Sequence, residues 1–312
     1  MNSGPQAPGI HHITAITGNG KKNIAFYTTV LGLRLVKRTV NFDDPGAHHL
    51  YFGDETGSPG TILTFFAWAG ASPGKTGNGE ATTVSFRVPE GSLDWWETRL
   101  TERGIATTRG ARFGDNLLQL ADPDGIAIEL VATALPGAAK PWAGAGIGPD
   151  KAITGFHGTT LQVADAAGTA QVLTQALGFE QQAQDGAWSR FMVTGRSPGG
   201  IVDVQAVAGA TRGRLGTGSI HHVAFRAADD ADQEAIAESL HRLRVGTTEQ
   251  KDRTYFRSIY FREPGGAILE IATDGPGFAS DESVESLGSA LKLPPQYERL
   301  RNQIEAALPA LD

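Results

Sequence analysis

The chain contains no cysteine among its 312 residues. Disulfide bonds and thiolate metal sites are therefore excluded, and histidine and carboxylate side chains are left as the ligands for any metal ion. Because a chain without disulfides suits a reducing compartment, we expect the protein to be cytoplasmic.

The sequence also lacks an excess of positive charge and any long apolar run. Its formal net charge is −7, and no cluster of basic residues is available to neutralise phosphates, so a nucleic-acid partner is not expected. No run of about 18 apolar residues predicts a membrane helix. Residues 1–9 have no basic stretch followed by an apolar core, so we expect no signal peptide.

What the sequence does contain is a weak internal repeat with a period of roughly 70 residues. Each of four units begins with an extended apolar stretch, continues into an amphipathic helix and returns as short strands. The opening strands are predicted at residues 9–16, 82–88, 155–163 and 219–226. The repeat predicts an α+β fold in which four βαβββ modules form two curved sheets or half-barrels.

The composition between the units suggests how the chain is divided. We place an N-terminal half of two modules at residues 1–135 and a C-terminal half of two modules at residues 151–274. A segment rich in glycine, alanine and proline, residues 136–150, is predicted to link them. Residues 275–312 are predicted to form a helical tail, because proline and glycine bound two short helical patterns there.

Comparison of the four opening strands with one another identifies candidate site positions. His12 in unit one and His222 in unit four occupy the same place, which is Thr83 in unit two and Gly158 in unit three. Units one and four therefore share a feature that the two middle units do not have.

The final strands of units two and four each carry a glutamate, Glu129 or Glu270, at the same place after a turn that contains proline and glycine. Two pseudo-equivalent sites can therefore form, of which only the one with two histidines and Glu270 can hold a metal ion. The other site has Glu129 beside a threonine and a glycine. This arrangement requires unit one to pack beside unit four, and unit two beside unit three.

Each of the two histidines follows another histidine, His11 or His221, and neighbouring residues of a strand point to opposite faces. Unit three has His157 at the first position but Gly158 at the second, so a histidine at the first position occurs where no site forms. We therefore predict that the metal is held by the second histidine of each pair and by the strand glutamate: His12, His222 and Glu270.

Two imidazoles and one carboxylate form a facial triad, which leaves positions open for non-haem Fe(II), O2 and a substrate. The simpler alternative is that each histidine is a hydrogen-bonded structural residue. That alternative leaves Glu270 in an apolar strand without a partner, which would cost several kcal/mol or lead the carboxylate to take up a proton. A metal ion supplies the missing partner.

Arg253 and Tyr260 are further candidates because they precede Glu270 closely. Tyr260 stands ten residues before Glu270 and is predicted on the neighbouring strand of the same hairpin. A phenol hydroxyl and a guanidinium near a metal could orient a phenolate or a bound oxygen. Core packing of Tyr260 and a solvent-exposed salt bridge of Arg253 are the alternatives. The pair His48 and His49 has no counterpart in unit four, so packing or hydrogen bonding is favoured for it.

These motifs together resemble a known family. The resemblance is carried by residues 9–14, 35–46, 49–55, 59–66 and 252–278 and by Leu293-Pro294-Pro295. They are similar to the vicinal oxygen chelate superfamily, which is also called the glyoxalase/bleomycin resistance/extradiol dioxygenase superfamily. Within it they are similar to the ring-cleaving dioxygenases related to hydroquinone and chlorohydroquinone 1,2-dioxygenases. The resemblance covers nearly the whole chain and implies the fold of paired, incomplete barrels.

The resemblance implies an extradiol-type dioxygenase that cleaves hydroquinone-like aromatic diols with O2. The metal it implies is Fe(II), for which Mn(II) could substitute, and the ligands are those predicted above. It assigns four residues around the metal to catalysis: His11, Thr14, Arg253 and Tyr260. We also expect a homo-oligomer.

Two alternatives remain open from the sequence. A glyoxalase-type isomerase would favour a second metal-bound carboxylate, where unit one offers Thr64. A metal-free protein that binds small molecules is the other, since the superfamily contains both kinds.

Overall fold

The computed structural model of the chain describes residues 7–134, 140–193 and 198–311. Its strands follow one another in four groups of four, as the repeat predicts. The first two groups are β1 (Ile10–Thr17), β2 (Arg34–Val40), β3 (His48–Gly53), β4 (Ile62–Ala67), and β5 (Glu80–Pro89), β6 (Thr108–Arg112), β7 (Asp115–Ala121), β8 (Ala127–Thr133). The last two are β9 (Phe156–Val163), β10 (Glu180–Asp185), β11 (Trp188–Met192), β12 (Ile201–Ala206), and β13 (Ile220–Ala227), β14 (Lys251–Asp252), β15 (Arg257–Arg262), β16 (Ile268–Thr273).

One helix follows the first strand of each module: α1 (Gly20–Ala25), α2 (Leu93–Thr101), α3 (Ala167–Gln171) and α4 (Asp230–Arg242). The Asp229 side chain caps α4 by accepting a hydrogen bond from the Asp232 backbone N–H. Ile236 and Leu240, one turn apart on α4, are buried toward β13 and β16. The helices α1 and α3 each continue into a single π-helical turn, Phe26–Val30 and Val172–Ala176.

The strands form two eight-stranded sheets, each built from two modules. The first sheet has the order β14-β15-β16-β13-β1-β4-β3-β2, and the second has the order β10-β11-β12-β9-β5-β8-β7-β6. The antiparallel pair β1–β13 joins modules one and four, and β5–β9 joins modules two and three. The predicted fold class and the predicted pairing of the units are therefore confirmed.

The alternation of side chains along β1 explains how one sheet serves both a core and a site. Ile13 and Ala15 are fully buried in the main hydrophobic core. His12 and Thr14 lie on the opposite, concave face of the sheet, where they line a cavity. The candidate functional site therefore lies on the concave face of this sheet.

The C-terminal tail is held on β2 by two basic side chains. The Lys37 Nζ, which is fully buried, lies 2.6 Å from Asp281 Oδ1, and an Arg34 guanidinium nitrogen donates to the Val284 carbonyl at 2.7 Å. The first part of the tail has two short 3-10 turns, at Phe278–Ser280 and Val284–Ser286. Its end has a 3-10 segment at Pro295–Leu300 that continues into α5 (Arg301–Ala307).

The predicted linker lies partly outside the described residues, which leave out 135–139. Each sheet takes one module from the N-terminal half of the sequence and one from the C-terminal half. The two predicted halves therefore do not correspond to the two sheets, and the predicted domain boundaries stay a prediction. Within the described ranges, no helix is long and apolar enough to cross a membrane.

Candidate metal centre

Three side chains from three neighbouring strands meet on the concave face of the first sheet. Antiparallel pairing of β1 with β13 brings His12 beside His222, and parallel pairing of β13 with β16 adds Glu270. The two Nε2 atoms lie 3.3 Å apart, and Glu270 Oε2 lies 3.3 Å from His12 Nε2 and 2.9 Å from His222 Nε2. All three ligand atoms lie within 4.8 Å of one another, which is the spacing of a shared ion.

Glu270 is completely buried, and its two carboxylate oxygens have different surroundings. Oε1 accepts a hydrogen bond from the Ser258 hydroxyl, whereas Oε2 has no well-formed hydrogen bond to any described residue. Burial alone would raise the pKa of Glu270, but the imidazoles of His12 and His222 outweigh it and hold this pKa well below its usual value. A buried, ionised oxygen between two imidazoles fits a divalent cation.

The first histidine of each pair lies behind the second one. His11 Nδ1 is 2.9 Å from His12 Nδ1, and His221 Nδ1 is 2.8 Å from His222 Nδ1. Burial lowers the pKa of His11 well below its usual value and lowers the pKa of His221 to about 3, and in each pair the neighbouring imidazole adds to the effect. His11 and His221 are therefore neutral, and each can accept the Nδ1 proton of its neighbour, which leaves Nε2 of that neighbour free to bind a metal.

A chain of hydrogen bonds that reaches the cavity was not predicted from the sequence. Tyr51 OH lies 2.9 Å from His49 Nδ1, His49 Nε2 lies 2.8 Å from the Thr64 hydroxyl, and Thr64 donates to Thr14 at 2.9 Å. His49, which we assigned to packing or hydrogen bonding, does both and also lines the cavity. The alternation of His49 and Tyr51 along β3 is the signal that could have placed both on the concave face.

Arg253 and Tyr260 lie together at the same cavity. Tyr260 stands directly opposite Glu270 in the β15–β16 pairing, and Arg253 Nε donates to the Tyr260 hydroxyl at 3.1 Å. A second Arg253 nitrogen donates to Asp43 at 2.9 Å, a contact that the sequence did not suggest. Burial, followed by the charge of Glu270, raises the pKa of Tyr260, so its hydroxyl stays protonated.

The turn that presents Arg253 is strained. Thr254 has φ of 66°, a left-handed backbone conformation that β-branched residues rarely adopt. The turn directs Phe256 toward the other side of the ligands, where its ring lies 5.1 Å from the His11 ring and 4.9 Å from the His12 ring. Strain of this kind persists where the surrounding structure requires it, and it clusters at functional sites.

The second sheet has the pseudo-equivalent positions without the chemistry of the first. Glu129 accepts two hydrogen bonds from Arg112, at 2.9 and 2.6 Å, and another from Ser85 at 2.6 Å. Arg112 also donates to Asp203 at 2.7 Å. A Cβ atom on Gly158 would lie 2.3 Å from the Ile201 carbonyl oxygen, so this position has no room for a ligand side chain. In the second sheet the Arg112 guanidinium therefore occupies the place beside Glu129 that a metal ion would take.

We expect Arg112→Ala to destabilise the protein by about 3–5 kcal/mol, because it leaves Glu129 and Asp203 buried without their cation. Urea unfolding measures this loss, and the metal content of the folded variant should not change. Arg109→Ala on the same strand is the control, because its partners are exposed and its ion pairs contribute about 1 kcal/mol or less. Equal losses in the two variants would contradict a structural role for the buried network.

The fold and the site together define a class of protein: paired βαβββ modules around a candidate centre of two histidines and one carboxylate. The sequence model of the Glyoxalase/Bleomycin resistance protein/Dioxygenase superfamily matches residues 9–130 and 155–271. Maize glyoxalase I has the same fold, with a TM-score of 0.62 at 17% identity over 85% of this chain and 92% of that one.

Two curated relatives match over nearly their full length. The chain is 46% identical to "Putative ring-cleaving dioxygenase MhqO" of Bacillus subtilis (strain 168), over 96% of this chain and 95% of that protein. It is 34% identical to the chlorohydroquinone/hydroquinone 1,2-dioxygenase of Sphingobium indicum, over 95% of this chain and 94% of that protein. A crystal structure described as a "putative dioxygenase from Bacillus subtilis subsp. subtilis str. 168" superposes with a TM-score of 0.94 at 44% identity, over 98% of both chains.

The chain therefore belongs to the Glyoxalase/Bleomycin resistance protein/Dioxygenase superfamily and, within it, to the branch of ring-cleaving dioxygenases. Members of this branch are enzymes, and so is this protein.

Proposed function

We propose that this enzyme uses Fe(II) and O2 for extradiol-type cleavage of the ring of hydroquinone-like aromatic diols. One observation carries the proposal: the Nε2 atoms of His12 and His222 converge with a fully buried Glu270 oxygen beside a cavity. The cavity is lined by both of these histidines together with Arg253 and Tyr260, so a ring that enters it would lie beside the ion. The activity named for the Sphingobium relative supports the substrate class.

His12, His222 and Glu270 would hold the ion, which would supply electron transfer between the diol and O2. His11 and His221 would fix the tautomer of the two ligand histidines through their Nδ1 contacts. The sequence alone suggests that His11 handles protons or holds a phenolate. Its ring lies behind His12 and lines a different cavity with Phe256 and Phe278, so we assign it to positioning.

Tyr260 and Arg253 would act on the substrate oxygens. Because Arg253 donates to the Tyr260 oxygen, the Tyr260 proton is free to point into the cavity and to be donated to a substrate oxygen. The guanidinium would stabilise negative charge that develops there. Asp43 holds the other side of the guanidinium and so fixes its orientation.

The hydrogen-bond chain on the other side of the cavity has a single consistent direction. Burial raises the pKa of Tyr51, so Tyr51 donates to His49 Nδ1 and His49 Nε2 carries a proton toward Thr64. Thr64 in turn donates to Thr14. The Thr14 proton is then directed to the cavity, where Thr14 would donate a hydrogen bond to substrate or to O2.

The isomerase alternative has less support. Thr64 is the position in module one that corresponds to Glu270 in module four, and its hydroxyl is engaged by His49 and Thr14. Asp43 is a carboxylate of the described cavity lining, but it is paired with Arg253 at 2.9 Å and does not converge with His12, His222 and Glu270.

The metal identity, with Mn(II) as the substitute for Fe(II), is part of this proposal. The cytoplasmic location and the homo-oligomeric state stay predictions from the sequence.

Oxygen uptake tests the proposed function. Protein purified without oxygen and loaded with Fe(II) should consume O2 in equimolar amount with hydroquinone, while protein loaded with Zn(II), which has no redox chemistry, should not. The ring-opened product is identified by mass spectrometry. Absence of uptake by the iron-loaded protein with every hydroquinone tried would overturn the proposal, and conversion of a hemithioacetal would favour the isomerase.

A further inference from the structure

An aromatic wall leads from the candidate metal centre to the protein surface. Thr64, Phe66 and Trp68 alternate along β4 and just beyond it, so their side chains share the concave face of the first sheet. The Phe66 ring lies 4.5 Å from the His49 ring, and the Trp68 ring is stacked on Phe66 at 5.1 Å with an interplanar angle of 27°. The wall therefore begins at the inner cavity with His49 and ends at Trp68, which is partly exposed.

The wall borders a second cavity outside the first, which we call the vestibule. The vestibule is lined by Trp68, His221, Thr248, Lys251 and Ile268, together with residues of the inner cavity such as Phe66. The two cavities share Phe66, Arg253 and Tyr260 in their linings, so they lie next to each other. The inner cavity is bounded by the two ligand histidines and Tyr260, so a large group on a ring held there has to extend into the vestibule.

The charges of the vestibule indicate what kind of group it accepts. Arg253 is paired with Asp43 at 2.9 Å, and Lys251 Nζ lies 4.0 Å from the other oxygen of the same carboxylate. The basic side chains are therefore already matched in part, and Ile268 adds apolar surface to the lining. A flat apolar group gains from a stacked phenylalanine and tryptophan, whereas a charged group finds no buried unpaired partner here.

We propose that the vestibule is a substituent-binding site, and that the preferred substrates are hydroquinones that carry an uncharged, flat apolar group, such as an aryl group, which packs on Trp68. This inference rests on the proposed ring-cleaving function, whose substrate class it narrows. It makes Trp68 a specificity-determining residue that contacts the substituent and not the ring that is cleaved.

Binding and turnover of two ligands test the proposal on the full, metal-loaded chain. Calorimetry without oxygen compares phenylhydroquinone with unsubstituted hydroquinone. We expect wild-type protein to bind phenylhydroquinone at least about tenfold more tightly. Trp68→Ala should remove about tenfold of that affinity and leave hydroquinone within about twofold, and Trp68→Phe should keep most of the preference because it keeps a flat ring.

Trp188→Ala is the control, because Trp188 is a half-buried tryptophan of the second sheet that stacks on Arg112. It should leave both affinities unchanged. The proposal is overturned if wild-type protein shows no preference for phenylhydroquinone over hydroquinone. It is also overturned if Trp68→Ala weakens the binding of both ligands equally, or of neither. Oxygen uptake separates the failure of the proposed function from the failure of the proposed substituent-binding site. A binding preference that depends on Trp68, without any O2 uptake, would refute the proposed function and support the substituent-binding site. Uptake with an unchanged preference in Trp68→Ala would refute the vestibule alone.

Discussion

Replacing Glu270 or His12 with alanine is expected to abolish metal retention and, with it, O2 uptake. Each substitution leaves two of the three ligand atoms that lie within 4.8 Å of one another. Changes to residues that merely orient a metal ligand cost about 10–100-fold in metal affinity, so loss of a ligand should cost more than that. The measurement is metal content by mass spectrometry on protein purified without oxygen.

The neighbouring histidine provides the matched control. His11→Ala removes an imidazole of the same size from the adjacent residue, and it should weaken metal binding without abolishing it, because His12 Nε2 remains in place. If His11→Ala loses the metal and His12→Ala retains it, the assignment of faces along β1 is reversed.

Glu270→Gln adds a readout that does not depend on activity. The variant keeps the shape of the side chain and removes only the charge that would bind the ion, so the fold should persist and the two metal-free proteins can be compared directly. Added Fe(II) should raise the unfolding temperature of wild-type protein and have little effect on the variant, since only the wild-type protein binds the ion.

The sequence contains enough information to predict which side chains converge at the centre. Strand alternation fixes the face of each residue, and the repeat fixes which positions are equivalent, so His12, His222 and Glu270 can be predicted to lie together before any coordinates exist. The same reasoning predicts that Glu129 faces a position without ligands. Metal binding by the three residues stays a prediction, which the variants above are designed to test.

His49 could not be predicted by that reasoning because it belongs to only one of the two modules. Comparison of repeats identifies residues that occur in pairs, and module four has no histidine at the corresponding place. Its position depends on β3 lying next to β4, where Phe66 is its partner in the strand pair and its ring reaches the Thr64 hydroxyl. The alternation along β3 places His49 and Tyr51 on one face of the strand, but only the tertiary pairing with β4 brings that face to the cavity.

Asp43 and the conformation of Thr254 lie beyond sequence reasoning for a different reason. Asp43 is in the loop after β2, and its contact with Arg253 joins residues 210 positions apart. A threonine has no intrinsic tendency toward φ of 66°, so its backbone is set by the contacts of the turn and not by propensity. Loops around a rigid sheet depend on many weak contacts, which leave no periodic signal.

Removing the hydroxyl of Tyr260 by Tyr260→Phe should lower turnover by roughly 10²–10⁴-fold, the range for loss of a general acid–base group. The ring stays, so its contact with the His222 ring at 5.7 Å and the fold are kept. Metal content should equal that of wild-type protein, because Tyr260 is not one of the three converging ligands. The measurement is steady-state O2 consumption divided by iron content, with hydroquinone as substrate.

Tyr51→Phe is the matched control, since it also removes one buried phenol hydroxyl at the same cavity. The Tyr51 hydroxyl is engaged by His49 Nδ1, so its loss should cost less than the loss of the Tyr260 hydroxyl, whose proton is free to be donated to the substrate. Wild-type turnover of Tyr260→Phe at full iron occupancy would mean that Tyr260 only packs. The donated proton would then have to come from Thr14, and a large loss in Tyr51→Phe with none in Tyr260→Phe would place the acid–base chemistry on the opposite side of the cavity.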